Sequence, residues 1–145
     1  MIDYPTVEHA LRTADPEALP EALREALLGM GVSGVEVHLA DYALRVLTPV
    51  AVPHDAAPVP IHGSVPGRAF ASQQPQYQQF DEGATAVTVP VSVRGDRHGT
   101  LTAHLPAGAA GPAAVEALRA IGRLLGHELV VAERDTSSRL NHSLT

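Results

Sequence analysis

The clearest pattern in the chain lies between residues 86 and 105. Val87, Val89, Val91 and Val93 alternate with smaller or polar residues, and Leu101, Ala103 and Leu105 resume the alternation after Arg94-Gly95-Asp96-Arg97-His98-Gly99. A period of two on both sides of a glycine turn predicts an antiparallel hairpin with one apolar face, its strands at 86–93 and 100–105. Residues 35–40 and 43–48 repeat the theme. Val35, Val37 and Leu39 share one face and Glu36, His38 and Ala40 the other; Leu44 and Val46 then alternate against Arg45 and Leu47, with Asp41-Tyr42 as a tight connection.

The helical period appears elsewhere. Leu19, Leu23, Ala26, Leu27 and Met30 fall on one face, which predicts a helix over 20–29 after the Asp15-Pro16 start signal, ended by Gly29 and Gly31. A short first helix is expected over 7–14, capped by Thr6. The longest helix is expected over 113–134. Val115, Leu118, Leu125 and Leu129 form one stripe there, and Ile121, Leu124 and Val131 form another beside it. Prolines at 49, 53, 58 and 60 predict a loop with an edge segment at 59–63, followed by a short helix over 65–72. Residues 135–145 show no periodicity and read as a flexible tail or truncated linker.

Composition narrows the function. A chain of 145 residues suits one domain. The net charge of −6 argues against a nucleic-acid partner and against an anionic membrane surface. There is no cysteine, hence no disulfide, thiolate metal site or cysteine nucleophile. No apolar run approaches a membrane span and the N-terminus lacks the pattern of a signal peptide, so the expected location is cytoplasmic.

Three stretches carry a resemblance: Val-Glu-Val-His-Leu-Ala-Asp-Tyr-Ala-Leu-Arg-Val at 35–46, Gly-Ser-Val-Pro-Gly-Arg-Ala-Phe-Ala-Ser-Gln-Gln-Pro at 63–75, and the strand, turn and strand of 89–106. Their order resembles a GAF domain over residues 15–134. The resemblance implies an α+β fold with one antiparallel five- to six-stranded sheet and helices packed on it. It also implies a non-enzymatic sensory or regulatory role, exercised through a small-molecule ligand or through dimerisation. More narrowly, the chain is similar to the amino-terminal sensory region of actinobacterial sporulation-type metal-dependent serine/threonine phosphatases, which implies a phosphatase-type output domain or partner protein. No phosphatase metal motif follows, so catalysis is not carried over.

Other motifs weigh less. Gly29-Met30-Gly31-Val32-Ser33-Gly34 has the spacing of a dinucleotide fingerprint, but helix and strand stand in the wrong order for it, and a helix end with a turn is the simpler reading. His9, His54, His98, His127 and His142 are scattered along the chain. His38 and His104 fall on the polar faces of strands that would be neighbours, with Glu36 as a possible third ligand; two histidines are too few to assign a metal, and no metal site is assigned.

These readings combine into one domain over 1–134 (core 15–134) with a tail at 135–145. Its ligand is expected on the polar sheet face, under the loop 49–60 and the helix 65–72. The lining candidates are His38, Tyr42, Arg45, Arg68, Thr88, Thr102 and His104, and the cofactor is unknown. A homodimer through the 113–134 helix is expected, since a helix lying on a sheet needs an apolar stripe of roughly 100° and this one is wider. Two further readings stand beside it: a ligand-free interaction scaffold, and a small metal-dependent enzyme using the His38 and His104 face.

Overall fold

The structure, a computed structural model, describes residues 2–50 and 56–144, with side chains described as far as Arg134. Part of the loop 49–60, including His54, and the side chain of His142 lie outside the described residues.

Helix α1 spans Tyr4–Thr13, and α2 spans Leu19–Leu28 behind a single 3-10 turn at Pro16–Ala18. Strands β1 (Gly34–Ala40), β2 (Val46–Pro49) and β3 (Val59–Pro60) follow. Helix α3 (Val65–Ser72) then leads to β4 (Gln76–Gln79). The hairpin of β5 (Thr85–Val93) and β6 (Asp96–Leu105) precedes the long α4 (Pro112–Leu144). All strands pair antiparallel in one sheet of order β3-β2-β1-β6-β5-β4. The α+β class and the antiparallel sheet agree with the alternation of the sequence.

Four boundaries differ, each for a local reason. α1 begins at Tyr4, with Asp3 in the capping position and Pro5 in the first turn; Thr6 is inside the helix, and its hydroxyl donates to Asp3 Oδ2 at 2.6 Å. β2 begins at Val46, not at 43. The Asp41 carboxylate accepts from the backbone N–H groups of Arg45 (2.9 Å) and Val46 (3.2 Å), which ties residues 41–45 into a loop in place of a two-residue turn. At the far end of β5 a bulge sets Ser92 opposite Arg97 and Val91 opposite Gly99, which leaves His98 as the extra residue. α4 passes Arg134 and runs to Leu144, because neither glycine nor proline stands in that stretch to end it.

The alternation sorts the sheet into two faces, and both are covered. On one face Val37, Val87, Val89, Val91, Leu101 and Ala103 are wholly buried, together with Leu23 and Leu27 of α2 and Leu118, Ile121 and Leu125 of α4. Val7 and Leu11 of α1 join the same core. That contact overturns the geometric case for a second exposed stripe on α4. Ile121 (0%) and Leu124 (7%) are buried within the chain, and of that stripe Val131 alone is exposed, at 44%. On the other face α3 closes over a smaller cluster of Leu47, Ile61 and Phe70.

Two glycines fix how closely α4 lies on β5. A Cβ on Gly122 would stand 2.5 Å from the carbonyl oxygen of Pro90, and one on Gly126 would stand 3.0 Å from that of Ser92. The four-residue spacing therefore serves contact with a strand and not with a second helix. Gly122→Ala should lower stability by about 1–3 kcal/mol through overpacking, which outweighs the ~1 kcal/mol that alanine adds to a helix. Gly111→Ala, at the start of α4 where nothing lies within 4 Å, is the control for space and should lose less, its cost confined to the poorer capping by alanine. Chemical denaturation of both variants checks this.

Candidate functional site

The polar face of the sheet is built by register. Glu36, Thr102 and Thr88 are paired in one row across β1, β6 and β5; His38, Thr100 and Pro90 make the next row, and Gly34, His104 and Ala86 flank on the other side. Directly paired residues share a face, so the rows place Glu36, His38, Thr88, Thr100, Thr102 and His104 on the side opposite the valine core.

α3 converts that face into an interior. Its start is capped by Ser64, whose hydroxyl accepts from the Gly67 N–H at 2.9 Å and donates to the Pro60 carbonyl. Gly67 is required there, because a Cβ would lie 1.8 Å from the Ile61 carbonyl oxygen. Under this cover Thr88, Thr100, Thr102 and His38 are buried, the last at 5% exposure. The Thr88 and Thr102 hydroxyls satisfy each other at 2.8 Å. His38 Nδ1 and Thr100 Oγ1, on directly opposed residues, have no partner among the described residues; nor there has His98 Nε2, at the bulge.

His104 lies half-buried at the edge of the face. Gly34 opposite it has no side chain, so the imidazole leans over β1, and its Nε2 stands 3.4 Å from Glu36 Oε1. The Phe80 ring lies tilted beside it with centroids 6.0 Å apart. The hydrogen bond that Glu36 accepts from His104 raises the His104 pKa above the ordinary 6.5, and the same bond lowers Glu36 below 4.5. Burial moves His38 the other way, below 6.5, against the pull of the Glu36 carboxylate.

Of the seven residues expected to line the site, four come together: His38, Thr88, Thr102 and His104. Three do not. Tyr42 and Arg45 stand exposed in the loop that Asp41 organises, and Arg68 is on the solvent side of α3. Thr100 was missed, although the alternation that selects Thr102 and His104 reaches it. Among the described residues no group of three or more His, Asp or Glu side chains is placed to hold a metal, which leaves the metal-dependent reading without a ligand set. Nor, among the described residues, is any helix long and apolar enough to cross a membrane.

A scan against protein-family models finds no match, and no curated protein matches by sequence. Solved structures match throughout. The GAF domain of an Acinetobacter phosphoenolpyruvate-protein phosphotransferase aligns with a TM-score of 0.77 at 11% identity, covering 94% of this chain and 99% of that one. The second GAF domain of DevS from Mycobacterium smegmatis aligns at 0.65 with 23% identity, covering 86% and 98%. The free methionine-R-sulfoxide reductase from Neisseria meningitidis, solved in complex with its substrate, aligns at 0.73 with 17% identity, covering 91% and 89%. The chain therefore has the GAF fold, and at these identities the likeness is one of fold. The reductase corrects one expectation from the sequence. An enzyme shares this fold, so the resemblance gives no ground for calling the chain non-enzymatic. With no cysteine present, any nucleophile here would have to be of another type. The narrower likeness to phosphatase sensory regions receives no support from these structures.

The Glu36–His104 pair and His38 predict opposite responses to pH. The pair contributes fully between 4.5 and 6.5, where both partners are charged even in the unfolded chain. Its contribution is lost as pH rises through the raised His104 pKa, and again as pH falls through the lowered Glu36 pKa. His38 is favoured neutral, so its contribution is lost as pH falls from 6.5 through its lowered value. In an NMR titration His104 should titrate above 6.5 and His38 below it. Glu36→Gln should move both downward; a His104 value unchanged by that substitution would refute the pairing.

Proposed function

We propose that this chain is a sensory or regulatory domain of the GAF type that takes a small molecule on the polar sheet face beneath α3. One observation carries the reading: His38 Nδ1 and Thr100 Oγ1 are buried, opposed across β1 and β6, and without partners among the described residues. A buried polar group left unpaired costs about 1–3 kcal/mol, and a ligand that brings a donor and an acceptor offsets that cost at both atoms. Thr88 and Thr102 supply further lone pairs in the adjoining row, and His104 stands at the margin. The site so proposed keeps His38, Thr88, Thr102 and His104, adds Thr100, and leaves out Tyr42, Arg45 and Arg68.

In this reading the domain extends to about residue 134, the protein is cytoplasmic, and the rest of α4 links it to an output domain or partner of the phosphatase type implied by the sequence resemblance. A homodimer through α4 belongs to the same proposal, carried by the exposed Val131 in place of the wider stripe. Val131→Glu should dissociate that dimer in sedimentation analysis without loss of fold. Leu124→Glu, at a buried position, should unfold the chain instead. A monomeric parent protein at high concentration would remove the dimer.

The ligand proposal is tested by comparing native and denaturing mass spectra of the purified chain. A retained small molecule is expected, and the combined His38→Leu and Thr100→Val substitutions should abolish it. Thr100→Val alone should stabilise the ligand-free protein by about 1 kcal/mol, since an unpaired hydroxyl is replaced by a methyl of the same shape. Absence of any retained mass, together with no gain from Thr100→Val, would leave the scaffold reading in its place.

A further inference from the structure

A second polar site lies at the β5 edge of the sheet, between α4 and the C-terminal end of α3. The chain has no lysine, so its ten cationic side chains are all arginines within a net charge of −6. Two of them, Arg119 and Arg123, are one turn apart on α4 and line the same small cavity of about 90 Å³ with Pro90, Ser92 and Gln73. Their position follows from the glycines. Gly122 and Gly126 let α4 approach the Pro90 and Ser92 carbonyls, which brings the arginine stems on that turn to the edge of β5. Arg123 has no ion-pair partner among the described residues, and Arg119 has one exposed partner, Glu116, at 3.6 Å. Two guanidinium groups against one carboxylate leave the lining net positive.

Arg119 is also a wall of an open groove of about 590 Å³, shared with Tyr77 and Pro75. The Tyr77 ring is 54% exposed there. The two spaces thus meet at one arginine, the small one cationic and the large one walled by a ring and prolines, with Glu116 paired to Arg119 at its margin. A guanidinium fork matches the oxygens of a carboxylate or phosphate, and an exposed tyrosine accepts a flat apolar body.

We infer that Arg119, Arg123, Ser92 and Tyr77 form a binding site for a small organic oxyanion, with its carboxylate or phosphate in the cavity and its flat body on Tyr77. The site shares none of its binding side chains with the His38 face, whose row ends at Pro90 beside it, and does not rest on the function proposed for that face.

Phenyl phosphate, benzoate and uncharged phenol serve as probes in an NMR titration of the whole chain. Saturable shifts at the Ser92, Arg119 and Arg123 amides are expected with at least one of the two anions and not with phenol. Which anion binds more tightly identifies the head group. Arg119→Gln and Arg123→Gln should each weaken binding about tenfold, the loss of one charge-assisted contact, and added salt should weaken it further. Thr100→Val should leave it unchanged. The inference is overturned if neither anion saturates, if the shifts map to the His38 face, or if the double arginine variant binds as the parent does.

Discussion

The structure turns on the need to cover both faces of one sheet. A strand with period-two alternation presents an apolar side and a polar side, and an antiparallel sheet can leave the polar side to water. Here it does not. α1, α2 and α4 bury the valine face, while α3 is laid over the threonine and histidine face by the Ser64 cap and the Gly67 contact. Polar residues that would otherwise be solvated become interior groups. Their hydrogen bonds must then be found within the protein or brought by something else.

Two solutions to that demand stand side by side. Thr88 and Thr102 meet it reciprocally, and Glu36 and His104 meet it at the margin with a charged pair. His38 and Thr100, in the next row, do not meet it. Unpaired groups of this kind are uncommon in folded interiors, and each calls for an explanation such as strain, a chemical role, or a bound water or ion. The fold also tolerates catalysis, as the reductase with the same architecture demonstrates, so chemistry has to be argued from the side chains.

Much of this was legible beforehand. The hairpins at 35–48 and 86–105, the helix at 65–72 and the identity of the buried valines all follow from local periodicity and turn chemistry. So did half of the site, because face membership is a matter of parity along a strand. Tyr42 and Arg45 were misplaced by a single local interaction, the Asp41 carboxylate, which shifts the start of β2 to Val46. The width of the apolar surface on α4 was read correctly, but not its purpose. Which partner covers a stripe depends on where a distant segment packs, and α1 packs there.

The sequence by itself determined which residues face inward and which face across from them, since period and parity are properties of neighbours along the chain. Only the tertiary structure decided what each face meets. The approach of α4 to β5 at Gly122 and Gly126, and the gathering of Arg119, Arg123 and Ser92 at one sheet edge, join residues far apart in the chain. So does the isolation of His38 Nδ1 and Thr100 Oγ1. Hydrogen-bond satisfaction and close approach are relations across space, set by how the helices close over the sheet, and no local pattern encodes them.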